Sequence, residues 1–421
     1  MPCGSESGAA ELTAPAGQGG RRRIAIVHYT APPVIGGVEQ VLAEQAVQLR
    51  RAGHQVRVIA GRGDCELIPE LDSRFPAVEE LTRHLAAGED PAAEFNRLHG
   101  RLRDSLLRAL GDVEIVIAHN LLTMPFNLPA AAALVDCGRP ILAWTHDHAW
   151  LNPRYQDFQR ETEPQLLMRR MQPHTLYVAI SRTRQAELAN LYQTASEEIP
   201  VVPNGIDRGR FLGISTGTRG LVDAAGLGGR EPLLLAPVRI TRRKRLELTL
   251  EVAADLKRDH PGLGLVVSGP LGPHDSGNQA YWGELLERRS RLGLDGCVRF
   301  LHEQAGAGPH PVSERNIAEL YRLADLVLLT SESEGFGLPV AEAALARVPI
   351  VCPDLPVLSE VAGGGAELYP LAAGAPTIAD ACRRALGSPA AALRSGVQSR
   401  YGWAGVLRST EEVIDRVLAH G

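Results

Sequence analysis

Five cations fall within seven residues at Arg239-Ile240-Thr241-Arg242-Arg243-Lys244-Arg245, directly behind the apolar run Leu233–Val238. A strand that ends in cations sets them at the carboxyl edge of an α/β sheet, where phosphates collect. Arginine offers a planar fork of donors and lysine a mobile point charge, a pair suited to a diphosphate. Arg239 and Lys244 stand either side of the strand-to-helix turn and are expected to converge on it. Arg242, Arg243 and Arg245 are expected to be solvated or paired with acids such as Glu247. The plainer reading of the whole run is a solubilising face.

A second constellation runs from Ser331 through Glu334-Gly335-Phe336-Gly337-Leu338-Pro339 to Glu342, after the apolar run Leu326–Leu329 and into an Ala-rich helix. Proline suits the first helical position, because its missing N–H would be unpaired there anyway. Gly335 and Gly337 let backbone approach a ligand, and free N–H groups at the helix start face an anion. Carboxylates repel that anion, so hydroxyls are the targets expected for Glu334 on the loop and Glu342 about a turn into the helix. The plainer reading makes Glu342 a helix cap and leaves Glu334 in water.

In the first half, Gly36-Gly37 opens a helix after Pro32-Pro33-Val34-Ile35. It is either a second anion cradle or only a tight turn. The spacing Gly-x-Gly-x-x-Gly is absent here, which argues against a nicotinamide or flavin enzyme. His119-Asn120 and His146-Asp147-His148 each follow an apolar run. They read as sugar-facing polar groups or as satisfied structural residues. A metal at His146 and His148 would need a third ligand that the pattern does not supply, so no metal site is expected.

These groups need a scaffold, and 421 residues suffice for two or three domains. A net charge of −5 with 5% aromatics lacks the basic, aromatic stripe of a nucleic-acid binder. No apolar run reaches the ~18 residues of a membrane span, and the start lacks the basic-then-apolar order of a signal peptide. Cysteines at 3, 65, 137, 297, 352 and 382 have no metal-knuckle spacing and read as reduced thiols of a cytoplasmic protein.

Short apolar runs alternate with helical stretches, the pattern of parallel sheets covered on both faces. Strands are expected at Ile24–His28, Val56–Ala60, Val113–Ala118, Ile141–Trp144 and Leu176–Ile180. They resume at Leu233–Val238, Gly264–Ser268, Val298–Leu301, Leu326–Leu329 and Pro349–Cys352. Helices are expected over Gly37–Arg51, Leu98–Leu110 and Glu411–Leu418. Leu98, Leu102 and Leu106 suit sheet packing; docking on a membrane surface is the alternative for that helix. Val202-Pro203-Asn204-Gly205 is turn chemistry at a domain junction, and Ser215–Arg230 reads as loop. The expected plan is a disordered tail over 1–22, one α/β domain over 23–203, a second over 204–398, and a last helix over 399–421.

Together these residues resemble the retaining glycosyltransferases of family 4, from about residue 23 onward. The resemblance rests on Glu334 and Glu342 with Gly335-Phe336-Gly337-Leu338-Pro339 between them, on Arg239 with Lys244, on Val202-Pro203-Asn204-Gly205-Ile206-Asp207, and on Tyr401-Gly402-Trp403. It implies the GT-B fold, two Rossmann-like α/β domains facing across a cleft. It implies a nucleoside-diphosphate-sugar donor, an acceptor hydroxyl on a small molecule, glycan or lipid, and neither cofactor nor metal. By the same resemblance Arg239, Lys244, Gly36 and Gly37 hold the diphosphate and Glu342 the ribose. Glu334, with the amides of Phe336 to Leu338, holds the transferred sugar, and His146 lies beside that sugar. His119 and Asp147 lie near the acceptor. The resemblance makes 23–203 the acceptor domain and 204–398 the donor domain, with the last helix crossing back to the first. A sugar-nucleotide binder without activity, an epimerase and a phosphorylase are the alternatives. The usual Lys-Gly is Lys244-Arg245 here, and Pro270–Asn278 and Gln304–Glu314 are long enough to shape a substrate subsite.

Overall fold

The computed structural model describes residues 20–272, 277–304 and 312–420. Most of the expected tail, Cys3 and the middles of the two long loops lie outside the described residues. The chain divides into two compact units: residues up to Gly205 together with Trp403–Gly421, and Ile206–Gly402.

Unit 1 holds six strands: β1 (Arg23–Thr30), β2 (Gln55–Arg62), β3 (Glu66–Leu67), β4 (Ile115–His119), β5 (Ile141–Thr145) and β6 (Thr175–Ala179). They form one parallel sheet in the order β3-β2-β1-β4-β5-β6. Successive side chains of a strand point to opposite faces, and here both faces are covered. Ile24, Ile26, Ile115, Ile117, Leu142 and Trp144 pack on one side against the Gly37–Arg51 and Trp403–His420 helices. Ala25, Val27, Val116, Ala118 and Ala143 pack on the other against Leu102, Leu106, Ala130 and Leu134. Burial on both faces is why these strands read as unbroken apolar runs.

Unit 2 repeats the plan with β7 (Leu233–Ala236), β8 (Gly264–Val267), β9 (Val298–Phe300), β10 (Leu326–Leu328), β11 (Ile350–Pro353) and β12 (Glu367–Tyr369), ordered β12-β11-β10-β7-β8-β9. One core, including Leu250, Leu256, Leu265, Val327, Ile378 and Cys382, fills it. Each sheet reverses its winding once, at β1/β4 and at β7/β10. In sheets wound this way the crevice at the reversal receives ligands.

Two expectations need correction. The tail does not extend through residue 22: Arg21 Nε donates to Gly53 O at 2.8 Å, and Arg22 pairs with Asp415 at 3.3 Å. Ser215–Arg230 is not all loop, because Thr216–Ala224 is helical. Its start is fixed from outside the segment, by Glu319 accepting from Ser215 N at 2.9 Å and Ser215 Oγ at 2.6 Å. Short-range composition does not carry that signal. The sheet-edge strands β3 and β12 are too short to stand out as runs.

Candidate active site

The reversal in unit 2 brings the two constellations together. β7 and β10 pair directly, with Leu234 opposite Leu326 and Leu235 opposite Val327, so segments far apart in sequence leave the sheet side by side. The segments beyond the strands are then fastened. Thr330 Oγ1 donates to Lys244 O at 2.8 Å, and Glu332 N donates to Arg243 O at 2.8 Å. Thr249 Oγ1 lies 2.7 Å from the Thr330 hydroxyl. Lys244 Nζ meets Glu334 Oε1 at 2.5 Å, with both side chains under 10% exposed. Burial lowers the Lys244 pKa, and the Glu334 carboxylate pulls it back up.

Of the other cations, Arg242 and Arg243 pair with acids, as expected, but with ones other than Glu247. Arg243 lies 3.6 Å from Glu334 Oε2 and donates to Ser333 O. Arg242 pairs with Glu284 and lies over the Tyr281 ring, 4.9 Å from its centroid. Arg245 donates to Leu371 O at 3.1 Å. Glu247 pairs with none of them; it accepts from Tyr281 O–H instead. Arg239 is exposed, with no ion pair among the described residues. Its segment is held by Ile240 N donating to Pro270 O at 2.9 Å. Gly269 permits this approach, since a Cβ there would stand 2.3 Å from Val238 O.

Gly337 caps the Leu338–Ala346 helix with φ of 90°, a left-handed conformation that favours glycine, and a Cβ there would meet Leu358 at 2.4 Å. Leu338 therefore takes the first helical position and Pro339 the second, one later than expected. Gly335 has no atom within 4 Å of where a Cβ would sit. Phe336 and Leu338 are 58% and 61% exposed beside it. Within the helix, Glu342 accepts from Tyr321 O–H at 2.6 Å, a partner that its position after Pro339 does not reveal.

In unit 1 the reversal gathers the ends of β1, β4 and β5. Asn120 Oδ1, on a backbone with φ of 55°, accepts from His146 N at 2.8 Å and Asp147 N at 3.2 Å, which sets the turn after β5. His146 is held largely neutral by burial, its pKa lowered to about 4. His119 is fully buried, and its pKa is held well below the ordinary histidine value, by burial and by the neighbouring His146 and His28. Their rings meet at 2.8 Å between His119 Nδ1 and His146 Nε2. Asp147 accepts from His148 N and from Asn152 Nδ2, with Arg184 at 3.5 Å. His148 faces Met168 O and Tyr192 O–H and accepts from Trp150 N, so it is a satisfied structural residue. No group of three metal-ligating side chains occurs among the described residues.

The start of the Gly37–Arg51 helix contains a group that the spacing of glycines does not suggest. Glu39 folds back over Gly36, close enough that a Cβ there would stand 2.1 Å from its Oε2. The carboxylate accepts from Thr30 Oγ1 at 2.6 Å and lies 3.9 Å from His28 Nε2. An anion of the chain's own thus occupies the helix start, while Gly37 is open. Gln45 and Asn204 are further site neighbours missed in the sequence. A buried glutamine on the sheet-facing side of that helix is the signal that could have found the first.

The sequence profile of Glycosyltransferase Family 4 matches residues 35–210, and that of Glycosyl transferases group 1 matches residues 222–392. The chain belongs to the family 4 glycosyltransferases. It is accordingly a glycosyltransferase of GT-B type. A D-inositol 3-phosphate glycosyltransferase of Nocardia farcinica is 33% identical over 190 residues, 45% of this chain and 40% of that relative. A glycogen synthase of Mycobacterium tuberculosis is 25% identical over 93% of this glycosyltransferase and 94% of its own length. Among solved structures, Anabaena HepE in complex with UDP is 18% identical, with a TM-score of 0.35 over 94% of this chain and 100% of that one. No helix among the described residues is long and apolar enough to cross a membrane.

Proposed function

We propose that this glycosyltransferase moves a hexose from a nucleoside diphosphate to an acceptor hydroxyl with retention of anomeric configuration, in the cytoplasm and without a metal or cofactor. The carrying observation is the buried Lys244–Glu334 pair between the ends of β7 and β10, beside the start of the Leu338–Ala346 helix. In the free enzyme the two charges neutralise each other. Donor binding supplies each with a new partner: diphosphate oxygens for Lys244, sugar hydroxyls for Glu334. Arg239 adds a second cation from the exposed segment after β7, and the amides near Gly335, Phe336, Gly337 and Leu338 add aligned donors. Glu342 takes the ribose hydroxyls, held in place by Tyr321 O–H.

As the anomeric bond breaks, the leaving diphosphate gains negative charge. Cations and dipoles fixed in advance stabilise that charge without reorganising, which supplies most of the rate enhancement in many enzymes. In unit 1, His146 faces the transferred sugar, and His119 and Asp147 support the acceptor side through the turn after β5. Gly37 stays assigned to the donor, whereas Gly36 makes room for Glu39. The acceptor is a hydroxyl-bearing molecule.

A panel of UDP-, GDP- and ADP-sugars, scored for nucleotide release with and without polyol and glycan acceptors, tests the reading. Acceptor-dependent release with one base and a product of unchanged anomeric configuration by NMR is expected. Sugar phosphate formed only with inorganic phosphate would overturn it.

A further inference from the structure

Four side chains of unit 1 make one directional chain of hydrogen bonds. Asn204 Nδ2 lies 3.4 Å from His146 Nδ1, His146 Nε2 lies 2.8 Å from His119 Nδ1, and His119 Nε2 lies 3.0 Å from Gln45 Oε1. A neutral imidazole carries one N–H and one bare nitrogen, so each contact dictates the next. His119 is fully buried between Gln45 and His146, with the Trp144 ring stacked at 5.8 Å, so its ring nitrogens are closed to bulk solvent. Gln45 Oε1 can only accept, so His119 carries its proton on Nε2. Its Nδ1 is then bare, and His146 must donate from Nε2. The remaining nitrogen of His146, Nδ1, is left as an acceptor. The amide at the far end agrees, since Asn204 presents its NH2 group to that nitrogen.

We infer that Gln45 is a positioning residue that sets the tautomer of His146 through His119, so that His146 presents a bare Nδ1 that accepts from a substrate hydroxyl. This rests on the placement of His146 beside the transferred sugar, and it adds polarity to that placement. Gln45 Nε2 and Asn204 Oδ1 are buried without hydrogen-bond partners among the described residues, so no second contact competes with the chain for either amide. The Asn204 contact is the longest of the three, which makes it the one a hydroxyl displaces. With the opposite tautomer His146 would offer an N–H at that position in place of a bare nitrogen.

The test uses the full chain with 15N-labelled histidine and a long-range proton–nitrogen correlation, which identifies the bare nitrogen of each ring. Wild type is expected to show His146 and His119 both protonated on Nε2. Gln45→Glu keeps an acceptor at the same place and should keep both tautomers. Gln45→Met removes the acceptor at similar volume and should spread His146 over both forms. It should lower kcat/KM for the donor by about 3- to 10-fold, the worth of one neutral hydrogen bond, while Gln45→Glu restores most of the rate. A wild-type His146 protonated on Nδ1, or a Gln45→Met spectrum identical to wild type, overturns the inference. A tautomer change without any change in rate supports the relay and refutes the placement of His146 at the sugar.

Discussion

Arg239 and Lys244 are assigned to one diphosphate, yet the structure holds them very differently, and that difference separates binding from folding. Arg239 is exposed and unpaired among the described residues. Replacing it with alanine removes nothing the folded chain uses, so the melting temperature should stay within about 1–2 °C of wild type. A charge-assisted hydrogen bond to the leaving group is worth about 1.5–3 kcal/mol, so turnover should fall roughly 10- to 150-fold. Lys244→Ala should lose comparable activity but also strand Glu334 beneath the surface. Breaking a buried ion pair costs about 3–5 kcal/mol. Arg243, 3.6 Å from the same carboxylate, offsets part of that, and a cost of about 2–3 kcal/mol lowers the melting temperature of a unit this size by about 4–12 °C. Adding Glu334→Gln to Lys244→Ala should recover most of the stability and none of the activity. Nucleotide release and thermal melts on the same preparations provide both readouts. If Arg239→Ala turns over like wild type, or Lys244→Ala melts like wild type, the donor site has been misplaced.

Gly335 has no protein neighbour for a Cβ, so Gly335→Ala should fold as wild type and raise the donor KM only through contact with ligand. Gly337→Ala must adopt positive φ and displace Leu358, which should cost about 1–3 kcal/mol and show as a lower melting temperature. Glu231 is raised to about 7, by burial and then by the nearby Asp325. Its folded form therefore holds a proton that the unfolded chain releases near the usual 4.5, and stability declines as pH rises through that window. Glu231→Gln should abolish the decline, so variant and wild type melt alike at pH 5 and the variant melts higher at pH 8. Arg245 occupies a left-handed backbone with φ of 49°, where the usual Lys-Gly of the family has its glycine. Arg245→Gly should raise the melting temperature slightly and leave turnover intact, since the guanidinium's hydrogen bond goes to Leu371 O, away from Glu334.

The longer strands were legible because burial on both faces leaves few polar residues inside them, and the donor loop because its glycines, proline and carboxylates fall at fixed offsets from such a strand. Lys244 and Glu334 could be named but not paired, since their contact follows from β7 lying beside β10, a pairing that no local pattern encodes. Glu39 shows the opposite limit. Two glycines before a helix look like room for a ligand, and one of them is room for the chain's own side chain. Gln45 escaped notice, and Asn120 and Asn204 were named without their partners, because polar residues that complete a neighbour's hydrogen bonds carry no periodicity of their own.

The Trp403–His420 helix is made after all of unit 2, yet its apolar face, with Val406, Val413, Ile414 and Val417, covers one side of the unit 1 sheet. During synthesis that sheet must wait uncovered while the ribosome adds some 200 residues, roughly 10–40 s at ordinary elongation rates. Gly205 keeps a place open for the late arrival, since a Cβ there would stand 2.4 Å from the Trp403 indole. A nascent chain stalled before residue 403 should therefore recruit holding chaperones through a greasy groove that the finished enzyme never shows.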